Sequence, residues 1–318
     1  MLYIALFAIS IVLTYSIRWI ANKKAILDIP NERSSHTIAM PRGGGLAIII
    51  SFFLGVFLLH EHIEAKLFYA LLCVLPIVII SLIDDIKPLS SSLRATIQSL
   101  SIIMALIALD GVNSIDFLVF SLEGWWLNIL AFISMFWLTN LYNFLDGIDG
   151  YAGSQAITAG LGLYLLFANP LGLVLVFSTL GFLFFNWHKA SIFMGDVGSA
   201  SLGFIFAVFV FFDTSSGNIL IWMILLSLFW IDATVTLLRR FKNREKLTQA
   251  HNKHAYQRLV QAGYSHAIIS SFSLIFNMFF IALLYYFDNL NNLIWVFLLN
   301  IILVMLILFF SEKTKAFR

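Results

Sequence analysis

Eleven apolar runs, each approaching the length that crosses a bilayer, limit this chain more than any other feature. They fall at about residues 2–17, 44–60, 67–83, 95–109, 125–142, 153–169, 171–187, 199–212, 218–238, 268–287 and 292–311. About 20 apolar residues in helical form span the hydrocarbon core, and lipid offers the backbone no hydrogen-bonding partner. Only 11% of residues are charged, against about a quarter in soluble domains. These observations predict an all-α polytopic membrane protein of about 11 transmembrane helices, forming a single integral-membrane domain over residues 1–318. No soluble domain, linker or clear repeat interrupts the pattern, and no nucleic-acid partner is expected. Cys73, the single cysteine, lies in an apolar run and reads as a small core residue. Leu2–Ile17 lacks a preceding basic region and reads as an uncleaved spanning helix.

Charge orders the runs. Of the 19 Lys and Arg residues, all but Lys66 fall in the odd-numbered loops and the C-terminal tail. The positive-inside rule then places those loops and the C-terminus in the cytoplasm and the N-terminus outside. An error of one helix would scramble this sorting.

The polar clusters lie in the five cytoplasmic loops, counted from here in chain order on that side alone. In the first loop, Asp28-Ile-Pro-Asn-Glu-Arg-Ser-Ser-His36 precedes Pro41-Arg42-Gly-Gly-Gly45, where backbone N–H groups and the Arg42 guanidinium can receive phosphate. The second loop opens on Asp84-Asp85-Ile86-Lys87, adjacent carboxylates that repel unless a cation compensates. The third holds Asn143-Phe-Leu-Asp146-Gly-Ile-Asp149-Gly, whose polar residues recur every three positions and would share one helical face. The fourth carries Asn186 and then Met194-Gly-Asp196-Val-Gly-Ser199, with Asp196 sterically open between glycines. Oxygen ligands without Cys/His spacing favour Mg²⁺ or Mn²⁺ over zinc, and Mg²⁺ usually pairs one or two carboxylates with substrate phosphates. A phosphorylated substrate follows.

The fifth loop, 239–267, is the most basic. Its first half suits anionic membrane lipid. His251, Lys253, His254 and Arg258 at helical spacing add a phosphate or nucleotide site. Asp232, inside the ninth run, is an intramembrane acid, read either as functional or as paired with Arg239 or Arg240.

The ordered set of these motifs resembles the polyprenyl-phosphate N-acetylhexosamine-1-phosphate transferases, integral-membrane enzymes that begin peptidoglycan lipid and O-antigen synthesis. The match covers roughly residues 2–311. The resemblance implies that Asp196 ligates Mg²⁺, that Asp84 and Asp85 act on the lipid phosphate or the metal, and that Asp146, Asp149 and Asn186 hold the nucleotide, with Asn143 in the same motif. Many members carry His-x-His-His in the fifth loop; here the run is His254-Ala-Tyr-Gln257, and only His254 matches, which is closer to the O-antigen branch. By this resemblance the substrates are a UDP-N-acetyl sugar and undecaprenyl phosphate, the membrane is the bacterial inner membrane, and the protein forms a homodimer. Arg42, Lys87 and His254 would gather positive charge around the phosphates, and the His254–Arg258 region would select the sugar. The alternative class is a lipid or lipid-linked-sugar flippase. Against it, the polar groups crowd the loops and not the mid-membrane.

Overall fold

A computed structural model describes residues 1–30, 38–247, 251–287 and 290–317. Asn31, Arg33, Ser34 and His36 of the first-loop motif lie outside the described residues.

All eleven apolar runs are helical. They form α1 (Leu2–Lys23), α2 (Gly45–Leu58), α3 (Ala65–Leu72) with α4 (Leu75–Ile86), α5 (Ser91–Ala108), α6 (Leu127–Phe144), α7 (Tyr151–Phe167), α8 (Leu171–Asn186), α9 (Asp196–Phe212), α10 (Asn218–Leu225) with α11 (Ser227–Lys242), α13 (His266–Tyr286) and α14 (Leu290–Thr314). The short α12 (Ala255–Gln261) lies in the fifth loop. The described residues also form two small antiparallel strand pairs, β1 (Leu27–Asp28) with β2 (Met40–Pro41) and β3 (Ser114–Asp116) with β4 (Ser121–Glu123), and a single 3-10 turn at His60–His62.

Among the described residues, six helical stretches are long and apolar enough to cross a membrane, or seven if the bent α10–α11 pair is one span. The runs in α2, α7, α8 and α9 make helices of only 14, 17, 16 and 17 residues, about 21–26 Å at 1.5 Å per residue. Hydropathy alone does not separate the two groups, because some short helices are apolar for a different reason. Every residue of α9 from Val197 to Phe211 is buried, so its apolar circumference meets protein. Helices α2, α3, α4, α6 and α10 surround it.

Small residues set this packing. A Cβ on Gly45 would lie 2.2 Å from the Gly198 Cα, so α2 and α9 meet backbone to backbone at the end that carries Asp196. Between α10 and α11 the axis turns by 76° at Leu226. The carbonyl of Leu225 at this break accepts a hydrogen bond from Gln155 Nε2 (2.7 Å), and Gln155 Oε1 accepts in turn from Asn277 on α13 (2.9 Å). A side chain thus replaces part of the interrupted helical ladder.

The fifth loop is tied to the far end of α14. Arg239 and Arg258 each donate to Glu312 (both 2.7 Å). Beyond the helix, the Phe317 ring lies under the cations of Arg239, Lys253 and Arg258, at 5.5, 5.3 and 5.7 Å.

Candidate active site

Helix ends bring the predicted residues together. Asn143 closes α6, Asp146 and Asp149 occupy the turn into α7, Asp85 closes α4, and Asp196 begins α9. The 186–195 loop crosses beneath them and docks on the glycine run: Gly44 and Gly45 donate their N–H groups to the carbonyls of Phe193 (2.9 Å) and Met194 (2.8 Å). Those two N–H groups are therefore committed to protein and do not receive phosphate, as the sequence pattern had suggested they could. Their work is to fix one loop against another.

Asp84 and Asp85 differ sharply despite adjacency. Asp85 is buried, and its two carboxylate oxygens accept the N–H groups of Asp196 (3.1 Å) and Val197 (3.2 Å). It caps α9 from another helix, satisfying donors that the first turn leaves open. Gly195 (φ +75°) makes room, since a Cβ there would meet the Asp85 carboxylate at 2.6 Å. Asp84 turns the other way, accepting from Leu89 N–H (2.6 Å) and from Arg94 (2.8 Å). The same Arg94 nitrogen lies 2.6 Å from Asp196 Oδ2, so one guanidinium joins two motifs. Arg42 Nε donates to the carbonyl of Asp85 (2.7 Å).

A cavity of about 310 Å³ opens among Arg42, Asp85, Asn143, Asp146, Asp149, Asn186 and Asp196. Asp28, Phe193, Gln257 and His266 complete its polar and aromatic wall. Burial, then the negative charges of Asp196, Asp85 and Asp149, push the Asp146 carboxyl up to about 8. Asp149 goes the other way. Burial alone would raise it, but hydrogen bonds from His266, the Ala190 N–H and His188 outweigh that and hold it below the usual carboxylate range. Asn186 is structural as well as lining: its Oδ1 accepts from Gly150 N–H (3.1 Å) and its Nδ2 donates to Ile192 C=O (2.9 Å).

A second cavity, about 330 Å³, lies across Asn143 and Asp196, which line both. Arg94, Arg240, His251 and His254 give it positive or ionisable walls, while Trp137, Phe144, Ala233 and Leu237 give it apolar ones. His254 begins α12, and its ring stands 3.6 Å from Asp232. Asp232 settles into a structural duty: both its oxygens accept the Ala255 N–H (3.0 Å each), capping α12.

Three predicted residues stay outside these cavities. Asp84 lines neither, its carboxylate being taken up by Arg94 and the Leu89 N–H. Lys87 ends α4, exposed, and lines neither. Arg258 is buried against Glu312, Ser311 and the Lys315 carbonyl, lining neither as well. Conversely, Phe193, Gln257 and His266 line the first cavity and Arg94 the second without having been singled out as site residues. Phe193 and Arg94 stand near recognised motifs. His266, in a helix start of ordinary sequence, carries no such signal.

A bundle of apolar helices with a carboxylate centre at its helix ends, open on one side to a polar cavity and on the other to a half-apolar one, describes a membrane enzyme that handles phosphate. Comparison with known proteins names the class more closely. Residues 67–214 match the model of glycosyl transferase family 4. The chain is 31% identical over 272 residues to the probable undecaprenyl-phosphate N-acetylglucosaminyl 1-phosphate transferase of Bacillus subtilis, covering 80% of this chain and 75% of that one. Similar are the undecaprenyl-phosphate alpha-N-acetylglucosaminyl 1-phosphate transferases of Thermotoga maritima (27% identity, 88% and 89% covered) and Escherichia coli K12 (24%, 82% and 76%). The chain belongs to glycosyl transferase family 4.

Proposed function

We propose that the protein transfers an N-acetylhexosamine 1-phosphate, N-acetylglucosamine 1-phosphate by analogy with the names of its relatives, from a UDP-sugar to undecaprenyl phosphate, releasing UMP. The observation that carries this reading is the pair of cavities meeting at Asn143 and Asp196. The polar one suits the sugar nucleotide, with Arg42 for the pyrophosphate and Phe193 as an aromatic wall. The other suits the acceptor: Arg94 and His254 for its phosphate, Trp137, Phe144 and Leu237 for the start of its tail. A phosphomonoester has its second pKa near 6, so the acceptor arrives ionised and needs orientation more than deprotonation. Its oxygen attacks the β-phosphorus of the donor as the bond to UMP breaks, and the electron pair leaves on the UMP phosphate. Asp85 acts by positioning, holding the start of α9 and with it Asp196.

The donor set fits Mg²⁺. Asp196, Asn143 and Asp146 offer only oxygen, and the like charge that raises Asp146 is what a divalent cation would relieve. When bound, Mg²⁺ would supply charge neutralisation at the pyrophosphate.

The arrangement in the membrane is part of this proposal. All five odd-numbered loops contribute residues to the two cavities, which supports placing them together on the cytoplasmic face of an inner membrane, with eleven helical passes and the N-terminus outside. The product would begin a cell-surface polysaccharide.

The test is UMP release by the purified protein with undecaprenyl phosphate and a panel of UDP-sugars, with and without Mg²⁺, beside Asp196→Asn. Release that needs lipid and metal and is lost in the variant is the expected result. No release with any UDP-sugar, from folded protein, overturns the reading.

A further inference from the structure

Asp149, His188 and His266 come from three separated segments: the turn between α6 and α7, the loop between α8 and α9, and the first residue of α13. Their ligand atoms all lie within 4.8 Å of one another. Asp149 Oδ2 stands 3.1 Å from His188 Nδ1 and 3.3 Å from His266 Nδ1. Ligands at about 2.0–2.2 Å from a tetrahedral ion are separated by roughly 3.3–3.5 Å, so these spacings approach those of three corners around one centre.

Hydrogen bonding alone leaves a conflict. His266 Nδ1 is 3.3 Å from the Asp149 N–H, a donor, and 3.3 Å from the Asp149 carboxylate, an acceptor. Protonated, that nitrogen opposes the N–H; unprotonated, its lone pair opposes the carboxylate. A cation between the ring and the carboxylate removes the second conflict. The supporting contacts resemble those that orient metal ligands elsewhere: Ala190 N–H donates to the same Asp149 oxygen (3.2 Å), and Ser270 holds the Asp149 carbonyl (2.8 Å).

We propose that Asp149, His188 and His266 bind one divalent transition-metal ion of the Zn²⁺ type, clasping the three segments at the rim of the first cavity. Two imidazoles and a carboxylate select Zn²⁺ over Mg²⁺, in contrast to the all-oxygen set around Asp196. Asp149 and His266 line the cavity, so the ion has an entry path and its fourth position faces that space. The site needs no substrate, and its test is independent of the transferase reading.

The full chain, free of any purification tag, is stripped with EDTA in detergent micelles and titrated with Zn²⁺ against a chromogenic chelator. One tight site per chain is expected. His188→Gln and His266→Gln each weaken it at least tenfold. Asp196→Asn leaves it unchanged, as does replacing His60 and His62, the exposed pair at Leu59–Ile63. Binding by the His188→Gln/His266→Gln double variant equal to that of the unaltered chain overturns the proposal, as does displacement by a tenfold excess of Mg²⁺. Co²⁺ decides the matter even where a substitution unfolds the chain. Intense visible bands of a four-coordinate site in the unaltered protein support it, and the pale spectrum of octahedral aqua-cobalt overturns it.

Discussion

The carboxylate of Asp85 receives the backbone N–H of Asp196 at 3.1 Å, joining residues 111 positions apart. An acid that looks chemically reactive in the sequence thereby becomes the cap that aims a second acid. The neighbour of Asp85 faces elsewhere, and that division of labour leads to the first expectation.

Arg94 links Asp84 to Asp196 (2.8 and 2.6 Å). Arg94→Ala should leave the fold intact and lower kcat/KM for UMP release by about 10²–10³, the usual effect of losing one preorganised charge partner. Arg94→Lys should recover part of the rate, since one guanidinium nitrogen makes both contacts and an ammonium on a shorter, more flexible stem can stand in for it only loosely. Wild-type rates in Arg94→Ala would show that the link is incidental.

Burial first, then the charges of three other carboxylates, push the Asp146 carboxyl up to about 8. Binding of Mg²⁺ opposes that field, so a proton should leave as the ion arrives. Calorimetry at pH 7 in two buffers of different ionisation enthalpy should detect release of up to about one proton per ion. Asp146→Asn should abolish it, and Mg²⁺ removal by chelator should reverse it.

Arg258→Leu should destabilise the chain by about 1–3 kcal/mol, the cost of breaking charge-assisted hydrogen bonds around a buried group. The expected sign in kinetics is different from that of a substrate contact: the folded fraction should keep its KM for the UDP-sugar. A raised KM at unchanged thermal stability would return Arg258 to the binding site.

His251 sits in the fifth loop, where burial first, then the charges of His254 and Arg240, lower its pKa to about 3. The unfolded chain takes up a proton near 6.5, while the folded chain resists until about 3. Stability should therefore fall as pH drops below about 6.5, with the unfolded state binding the extra proton. His251→Gln should flatten that slope in thermal unfolding between pH 7 and 5.

Gly45→Ala should lower the unfolding midpoint by an amount equivalent to about 1–3 kcal/mol, the range for overpacking. The new methyl would press on the Gly198 backbone, which has no side chain to move aside. Activity should fall with it, because the contact lies two residues from Asp196.

Much of the architecture was legible because lipid and helix impose a strong period on sequence: each apolar run became a helix, and the polar motifs converged at helix ends. What hydropathy cannot express is whether an apolar helix faces lipid or protein, and α9, buried along its length, shows why. Site residues divided on a similar line. Asn143, Asp146, Asp149, Asn186 and Asp196 gather because they sit in compact motifs at loop junctions. Arg258 shared the spacing of His254 but turns toward α14, since His254 is the extended cap before α12 and not a helical residue, so the spacing does not hold the two to one face. His266 was beyond reach, its meaning resting on a contact 117 positions away with Asp149.

The clamp on Glu312 and Phe317 carries a consequence for biogenesis. A chain emerging from the ribosome starts with its N-terminal end, so the fifth loop, with His254 on it, is made well before the residues that anchor it. Until 312–317 have been synthesised, Arg239 and Arg258 lack the Glu312 carboxylate that pairs with them in the finished fold, whereas Lys253 already has Glu245. Docking of α12 against α14 is therefore a late event, timed by the insertion of α14.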